Sequence, residues 1–394
     1  MPDLLEPLEA FAITAPGLSR IAARELADIG LEVHAVEPAG VTFKGGLREV
    51  YGANLRLRTV SRVIVRLARF QARTFAELER HSAKIPWSRF IASGRSFELR
   101  VTSRKSRLYH SDAVAERIER IVAQGTGGEL AEGEPSGEHD GERAQLVIVR
   151  LDRDECTVNI DSSGALLHMR GYRRATAKAP MRETIAAAML LASEWRADEP
   201  LFDPFCGSGT IPIEGAMLAR RIPPGLDRVF AFQQWPWVEA GLWSRMRRDA
   251  ETEILDDLPA PIIGADRDEG AIRAASENAA RARVDGQVEF VLSPVSEASV
   301  DAGPGWVITN PPYGVRVGTS RELRNLYARL GSVMRERFGG WRLAFLSADH
   351  ALEAQLRMEL EVLFRTTNGG IPVRCMTAKR ICSSINATSV SRRR

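Results

Sequence analysis

The feature that most constrains the fold is an alternation of strand and helix patterns that begins after Tyr172. A long helical segment, MRETIAAAMLLASEW, comes first, and an apolar strand ending at Asp203 follows it. Strands and helices that alternate along a chain are typical of a parallel α/β sheet. The last strands, in VLFRTTNGGIPVRCMTAKR, are separated by Asn368-Gly369-Gly370, a hairpin signal that predicts an antiparallel edge.

The chain before this point has an α+β pattern. A helical face through Leu18, Ile21, Ala22 and Leu26 stops at Gly30. Helices are also predicted near Phe75–His81 and Ala115–Gln124, and alternating apolar residues predict strands in RVIVRLARF, SFELRVTSR, LVIVRLD, TVNIDSS and ALLHMRGY. The glycine-rich acidic segment at residues 125–142 has no periodicity, which predicts a mobile surface insertion.

The composition narrows the functional class only slightly. The net charge of +3 is mildly basic, so a polyanionic partner has to be argued from local clusters. The six histidines lack HxxxH or HExxH spacing, and the four cysteines (Cys156, Cys206, Cys375 and Cys382) lie too far apart for CxxC sites, so no metal is expected. Without a secretory signal or a membrane-spanning apolar run, the sequence predicts a reduced, cytoplasmic protein.

The stretch FDPFCGSGTIPIEGA places Gly207 and Gly209 between a strand and a helix. Glycines lack a Cβ, so backbone N–H groups at such a turn can approach a ligand closely. A phosphate-binding P-loop would need Lys-Ser or Lys-Thr after the glycines, and a dinucleotide fingerprint would need a glycine where Pro212 stands. Both sites are disfavoured, and a tight turn without a ligand is the simplest alternative.

The next predicted strand, PIIGADRD, ends in Asp266. A carboxylate at the carboxyl end of a parallel strand can accept both hydroxyls of a ribose. Taken alone, Asp266 could equally cap the helix that follows it. Together with the glycine loop and the loop described next, it favours a nucleoside held without a phosphate grip, for which S-adenosylmethionine is the best candidate.

A third loop, Asn310-Pro311-Pro312-Tyr313, ends the apolar strand GWVIT. The two prolines fix the backbone and remove its N–H groups, so the loop offers carbonyl acceptors together with the Asn310 amide oxygen. Two acceptors suit the hydrogens of an exocyclic NH2 group and favour a geometry in which the nitrogen lone pair can attack a methyl carbon. Tyr313 is expected to stack on the base that carries the amine.

These motifs resemble those of class I S-adenosylmethionine-dependent amino-methyltransferases, which modify guanine N2 or adenine N6. Three further segments resemble the THUMP-domain RNA methyltransferases related to bacterial large-subunit rRNA and tRNA guanine-N2 methyltransferases: FAITAPGLSRIAARELADIG, RGYRRATAKAPMRETIAAAMLLASEW and PPGLDRVFAFQQWPWVE. The resemblance covers nearly the whole chain. The last segment also accounts for the distance between Gly209 and Asp266, about sixty residues where a plain doubly wound fold uses about twenty.

The resemblance implies three domains. A ferredoxin-like region is expected at residues 1–60 and a THUMP RNA-binding domain at residues 61–170, both of α+β type. Residues 171–394 are expected to form a Rossmann-like class I methyltransferase domain, an α/β fold whose seven-stranded sheet is mostly parallel with an antiparallel edge.

The resemblance also implies roles for individual residues. Cofactor binding is expected of Asp203, Phe205, Gly207, Gly209, Thr210, Asp266 and Arg267, and catalysis of Asn310, Pro311, Pro312 and Tyr313. One position departs from the family, because Ser293 and Pro294 stand where an acidic residue usually meets the adenine amino group. Contacts to adenine are therefore expected to be weaker or to come from the backbone.

Two basic stretches are candidates for RNA contact. In RGYRRATAK, residues 170–178, Tyr172 is interleaved with basic residues, and Arg170, Tyr172 and Arg173 are expected to guide the substrate. Arg104 and Lys105 belong to an arginine-rich stretch between residues 56 and 120, for which phosphate contact and an ordinary solvated face are equally good explanations.

The sequence thus predicts an RNA guanine-N2 methyltransferase that uses S-adenosylmethionine and flips its target base out of the stack. One alternative keeps the chemistry on another planar amine, as in a DNA adenine-N6 or protein glutamine methyltransferase. Another is an RNA-binding assembly factor without turnover, which only the Ser293-Pro294 departure supports. The sequence does not distinguish tRNA from rRNA, and it leaves the oligomeric state open.

Overall fold

A computed structural model describes residues 7–131, 143–173, 181–313 and 320–378. In chain order, its strands are β1 (Leu8–Thr14), β2 (Val33–Glu37), β3 (Gly40–Gly45), β4 (Val60–Gln71), β5 (Phe97–Arg104), β6 (Gln145–Asp152), β7 (Glu155–Asp161), β8 (Leu201–Asp203), β9 (Ile262–Asp266), β10 (Val288–Leu292), β11 (Trp306–Thr309), β12 (Arg342–Ser347), β13 (Glu361–Asn368) and β14 (Ile371–Ala378). Its helices are α1 (Ser19–Asp28), α2 (Leu47–Arg56), α3 (Phe75–Ser82), α4 (Ser111–Thr126), α5 (Glu183–Ala192), α6 (Thr210–Ala219), α7 (Ala240–Thr252), α8 (Glu269–Arg281), α9 (Ser320–Arg337) and α10 (His350–Glu353).

The chain forms two compact units that are not continuous in sequence. The first unit contains residues up to 14, residues 22–167 and residues 225–249. The second contains residues 15–21, residues 168–224 and the chain from residue 250 onward.

The first unit is built on a seven-stranded sheet in the order β2-β3-β1-β4-β7-β6-β5. Neighbouring strands are antiparallel except β5 and β6, which are parallel. Helix α4 shows how the pattern forms an element, because Val114, Ile118 and Val122 recur at helical spacing and are all buried. The boundary predicted at residue 60 falls at the start of β4, whose two neighbours in this single sheet are β1 and β7.

Residues 225–249 complete this unit. Phe232 stacks on Tyr51 with ring centroids 4.3 Å apart. The indole N–H of Trp235 donates to Gln145 Oε1 over 2.9 Å. All four side chains are buried, so this insertion supplies part of the unit's core.

Two predictions for the first 172 residues are wrong in part. The segment ALLHMRGY, residues 165–172, forms no strand, because its backbone follows turns in which Leu167 N–H donates to Ser61 O. The acidic insertion predicted to start at residue 125 begins later, since Gly125 and Thr126 close helix α4 and Leu130 bridges to Phe97. Residues 132–142 of that segment lie outside the described residues.

The second unit carries the predicted α/β sheet, in the order β10-β9-β8-β11-β12-β14-β13. The first five strands run parallel, and β14 is antiparallel to both β12 and β13. Successive residues of β11 enter different apolar clusters, Val307 one and Ile308 the other. Since side chains alternate between the faces of a sheet, the two clusters cover opposite faces. The mostly parallel sheet with an antiparallel edge is therefore confirmed.

The carboxyl ends of several strands meet at one edge of this sheet. Asp203 ends β8, Asp266 ends β9 and Thr309 ends β11, all in parallel strands. Strand β13 points the same way as β12, because both are antiparallel to β14. Asn368, the last residue of β13, therefore lies at the same edge of the sheet. Ligands of open α/β sheets bind outside this edge.

Candidate active site

A cavity of about 1350 Å³ lies at the carboxyl edge of the second unit's sheet. Its wall contains the predicted cofactor residues Asp203, Phe205, Gly207, Thr210, Asp266 and Arg267. It also contains the four predicted catalytic residues, Asn310, Pro311, Pro312 and Tyr313. Ligand sites for small molecules usually measure about 300–1,000 Å³, so this cavity has room for a second group beside a nucleoside.

The glycine loop is held against the end of β9. Cys206 N–H donates to Ala265 O over 2.9 Å, and Gly207 N–H donates to Asp266 Oδ2 over 3.0 Å. Gly207 has a φ of +52°, and a Cβ added there would meet no protein atom within 4 Å. Its missing side chain therefore leaves space on the cavity side, as predicted from the sequence.

Gly209 serves a different purpose from the one predicted. It has a φ of +83°, and an added Cβ would lie 3.0 Å from Ala275 Cβ and 3.1 Å from Phe290 Cζ. The cavity wall does not include it. The prediction that this glycine clears the way for a ligand is wrong, because its open side is filled by α8 and β10.

Asp266 is available to a ligand because another carboxylate caps the helix. Asp268 Oδ1 accepts the N–H groups of Gly270 and Ala271 at the start of α8. The two oxygens of Asp266 each accept one backbone N–H, from Gly207 and from Asp268, both over 3.0 Å. A carboxylate oxygen has further lone pairs, so two ribose hydroxyls can still donate to Asp266.

Asp203 joins the glycine loop to the end of β11. Its Oδ1 accepts the Thr309 hydroxyl over 2.6 Å and Phe205 N–H over 3.0 Å, and the residue is 1% exposed. Burial raises the pKa of this carboxyl to about 7, with the hydrogen bonds from Thr309 and Phe205 opposing the shift and the Asp266 carboxylate adding to it. A buried carboxyl that resists ionisation, with a second carboxylate beside it, suits a ligand that carries positive charge.

The Asn310 loop leaves an acceptor without a donor. Among the described residues, no group donates a hydrogen bond to the buried Asn310 Oδ1. A buried acceptor left unpaired costs about 1–3 kcal/mol, so such atoms call for an explanation. On the wall of a cavity, a ligand N–H group would satisfy it.

Tyr313, at the end of the same loop, is half-buried and lines the cavity. Its hydroxyl accepts a hydrogen bond from Asn368 Nδ2 over 2.8 Å. Burial raises the pKa of this phenol, and the hydrogen bond from Asn368 opposes the rise.

Several wall residues are absent from the sequence predictions. Helix α9 contributes Glu322, Asn325 and Arg329, which recur three and four residues apart and so share one helix face. That spacing is visible in the sequence, but only the fold shows that this face meets the cavity. The hairpin turn contributes Asn368.

The predicted roles of Arg170 and Tyr172 in substrate contact are wrong. The Arg170 guanidinium pairs with Glu214 at 3.4 Å, and the two side chains are 1% and 0% exposed. Tyr172 is also buried, and its hydroxyl donates to Glu214 Oε1 over 3.2 Å. Side chains that are sealed from solvent cannot touch an RNA chain.

Arg173 belongs to the same kind of ion pair. Its Nε lies 3.3 Å from Glu183 Oε1 on α5, and its side chain is 14% exposed. Burial raises the pKa of Glu183 to about 7, while the Arg173 charge opposes that shift. This guanidinium faces a buried carboxylate, and the contact of the partly exposed Arg173 with RNA stays a prediction. Residues 174–178 of the same basic stretch lie outside the described residues.

Arg104 ends β5 in the first unit, and Lys105 follows it. Both are exposed to solvent. Their contact with RNA remains a prediction.

No group of three or more His, Cys, Asp or Glu side chains in residues 7–131, 143–173, 181–313 and 320–378 could hold a metal ion. In the same part of the chain, no helix has the length and apolarity needed to cross a membrane.

Two family descriptions match the chain. Residues 170–375 match the family described as "RMKL-like, methyltransferase domain". Residues 9–64 match the "RlmL ferredoxin-like domain". The first match covers the cavity and its sheet, and the second covers β1 to the start of β4.

Full-length relatives support the same assignment. The chain is 33% identical to the Synechocystis protein named "Putative RNA methyltransferase slr0064", over 92% of this chain and 94% of that one. It is 35% identical to the ribosomal RNA large subunit methyltransferase K/L of Syntrophotalea carbinolica, over 94% of this chain and 53% of that one. The chain thus spans about half the length of the second relative.

A solved structure agrees with the fold. The crystal structure of SMU.472, described as "a putative methyltransferase complexed with SAH", aligns with a TM-score of 0.83 at 29% identity. The alignment covers 95% of this chain and 98% of that one. The predicted S-adenosylmethionine-dependent class I methyltransferase fold, preceded by a ferredoxin-like domain, is confirmed. The chain therefore belongs to the RMKL-like methyltransferase family.

Proposed function

We propose that this chain transfers a methyl group from S-adenosylmethionine to the N2 amine of a guanine in structured RNA. The observation that carries the proposal is the buried Asn310 Oδ1, which no described residue satisfies, on the wall of a cavity that also contains Asp266 and Gly207. An acceptor for an N–H group and a carboxylate for ribose hydroxyls stand in one enclosed space. This is the pair of contacts that an amine substrate and a nucleoside cofactor need.

The residues present fit the cofactor. Asp266 would hold the ribose hydroxyls, and the open side of Gly207 would admit the cofactor close to the backbone. The carboxylates of Asp203 and Asp266 match the positive charge of a sulfonium. When bound, S-adenosylmethionine supplies an electrophilic methyl carbon and a good leaving group.

The Asn310 loop would orient the amine. Asn310 Oδ1 and the carbonyl oxygen of Pro311 would accept the two amine hydrogens, which turns the nitrogen lone pair toward the methyl donor. Tyr313 would pack against the base. Proximity and alignment of this kind can supply much of the rate acceleration, since well-oriented groups reach effective concentrations of about 10⁵–10⁸ M.

The names of the relatives support RNA as the substrate. The Synechocystis relative is named an RNA methyltransferase and the Syntrophotalea relative a ribosomal RNA methyltransferase. Guanine N2 as the target rests on the resemblance of the motifs to guanine-N2 enzymes. A cytoplasmic location, a THUMP domain at residues 61–170 and phosphate contacts by Arg104 and Lys105 belong to the same proposal.

Asn310→Ala tests the amine site directly. The variant should lose methyl transfer by about 100-fold or more, because the alignment of the amine is lost. Calorimetric binding of S-adenosylmethionine should be unchanged, and Asn310→Asp, which keeps an acceptor oxygen, should retain more activity than the alanine variant. Full activity of Asn310→Ala with intact cofactor binding would overturn the proposal.

Other substrates are separated by a panel assay. Labelled methyl transfer should occur to RNA and vanish after RNase treatment, with none to duplex DNA or to glutamine-containing proteins. Transfer to DNA or protein instead would favour a different amine substrate. Absence of cofactor binding in the wild-type protein would favour an RNA-binding factor without turnover.

A further inference from the structure

The hairpin of β13 and β14 brings a buried amide to the active-site cavity. Asn368 is the last residue of β13, is 8% exposed and lies on the cavity wall. Gly369 and Gly370 follow it with φ values of +56° and +83°, so the chain turns back at once into β14. The tight turn fixes where the Asn368 side chain stands.

This amide makes one described hydrogen bond, and that bond goes to the substrate loop. Asn368 Nδ2 donates to the Tyr313 hydroxyl over 2.8 Å, across 55 residues of sequence. Its other polar atom, Oδ1, is buried and finds no donor in the described part of the chain. The amide is therefore not held by its own hairpin, and its partner is the tyrosine.

Tyr313 is anchored at both ends. Its backbone follows Pro311 and Pro312, whose rings fix φ, and its ring packs against the apolar clusters on the sheet. The hydroxyl, at the far end of the side chain, meets Asn368. A ring held at its base and at its tip has a fixed axis, and the apolar side chains packed against it restrict rotation about that axis.

Burying an amide with one unpaired oxygen costs stability, whereas an apolar side chain of similar size would avoid that cost. The neighbouring buried positions of β13 show how this face is otherwise built. Phe364 is apolar, and the buried Thr366 hydroxyl has no described partner. The buried Asn368 amide therefore does not stabilise the fold more than an apolar side chain of similar size would, and a structural role alone does not explain it.

We propose that Asn368 is a positioning residue for methyl transfer, which holds the tip of the Tyr313 ring in place through its hydrogen bond and thereby places the target base. The proposal rests on the proposed function. Asn368 acts through Tyr313, so its loss slows the reaction without weakening the cofactor site. A displacement of about 1 Å at a reacting group can cost about 100-fold in rate.

A double-mutant cycle tests this coupling. Asn368→Leu removes the donor at similar volume, and Tyr313→Phe keeps the ring but removes the hydroxyl. Each is expected to lower the single-turnover rate of methyl transfer to RNA by about 10- to 100-fold. The double variant should be no slower than either single variant, because both remove the same contact. Affinity for S-adenosylhomocysteine should stay within about twofold of wild type in all three.

Thr366→Val is the matched control. Thr366 is a buried polar residue two positions before Asn368, on the same strand and the same face. It does not line the cavity. The variant should leave the rate unchanged. This control separates an effect of the Asn368 contact from a general disturbance of the hairpin.

Three outcomes distinguish the two proposals. Rate losses that multiply in the double variant, or a Thr366→Val loss as large as that of Asn368→Leu, would overturn the role of Asn368 while leaving the proposed function intact. A wild-type protein that binds cofactor and transfers no methyl to RNA would overturn the proposed function, and the role of Asn368 with it.

Discussion

Asp203 is a buried carboxyl in the wall of the cavity, with a pKa well above its ordinary value. It lies between the glycine loop and the end of β11, sealed from water, with Thr309 and Phe205 as its donors. The raised pKa of its carboxyl means that the folded protein resists ionisation at this point. A positively charged cofactor bound nearby would lower the free energy needed to ionise this carboxyl.

The pH dependence of stability follows from this shift. The pKa of Asp203 is about 7 when folded against 3.8 for the unperturbed group, so the folded state binds the proton more tightly. The free energy of unfolding should therefore fall as the pH rises from about 4 to about 7. The full cost above pH 8 is at most about 4 kcal/mol.

Asp203→Asn removes the ionisation while keeping an oxygen that can accept from Thr309 and Phe205. The variant should be more stable than wild type at pH 8, and this gain in stability should be much smaller at pH 4.5. Its affinity for S-adenosylmethionine should fall. Urea unfolding at the two pH values checks the first expectation, and calorimetry checks the second. An equal change in stability at both pH values would show that the Asp203 charge is not the cause.

The two glycines of the loop should respond differently to alanine. Gly209→Ala should lower the free energy of unfolding by about 2–3 kcal/mol, because it adds strain at positive φ and overpacks against Ala275 and Phe290. Gly207→Ala should cost only the strain, about 1 kcal/mol, but should raise the Kd of S-adenosylmethionine. Chemical denaturation and cofactor titration separate the two effects. Equal destabilisation by both variants would contradict the assignment.

Sequence reasoning at the residue scale located residues of the cavity wall where a motif follows a strand. The places of Asp266 and Asn310 in the cavity wall were predictable, because Asp266 ends a recognisable strand and Asn310 directly follows another. The sequence could not predict that the Cβ side of Gly207 is open and that of Gly209 is filled, because the direction of a Cβ depends on the backbone angles. Arg170 was misassigned because its partner, Glu214, lies 44 residues away in sequence.

Helix α9 is the element that extends the site beyond the predicted motifs. Its buried face packs Leu323, Tyr327 and Leu330 against the sheet, while Glu322, Asn325 and Arg329 border the cavity. Arg329 is exposed there, and under the proposed function we expect it to contact a phosphate next to the target nucleotide. The amphipathic pattern predicts the helix. Only the fold shows that its polar residues Glu322, Asn325 and Arg329 border the cavity.

Arg329→Ala should weaken RNA binding, since one phosphate contact is lost. The slope of log affinity against log salt should become shallower by about 1, and the affinity for S-adenosylmethionine should not change. Arg321→Ala is the matched control, because Arg321 is exposed on the same helix and does not line the cavity. If both variants alter the salt slope equally, the effect is one of total charge and not of this position.

At the scale of the whole molecule, the chain order and the compact units do not coincide. Residues 225–249 interrupt the sequence of the second unit and belong to the first. Phe230, Phe232 and Trp235 are each at most 1% exposed, with partners that include Tyr51 and Gln145. The sequence shows the insertion through its length, but a contact such as Glu239 N–H to the Tyr51 hydroxyl spans 188 residues and leaves no local signal.

A fragment of residues 7–167 should therefore be poorly folded on its own, because Tyr51 and Gln145 lose their cover. The same fragment joined by a flexible linker to residues 225–249 should unfold cooperatively at higher urea concentration. Circular dichroism during urea titration, with binding of a hydrophobic dye, makes the comparison. Equal stability of the two fragments would show that the insertion adds nothing to this core.

The measurement that tests the central claim most directly is nucleoside mass spectrometry of RNA methylated by the purified protein. Separated tRNA and rRNA from a strain lacking the protein would be incubated with labelled S-adenosylmethionine and then digested to nucleosides. We expect labelled N2-methylguanosine in one of the two fractions with the wild-type protein and none with Asn310→Ala. Label in N6-methyladenosine, or no label from a protein that binds the cofactor, would contradict it.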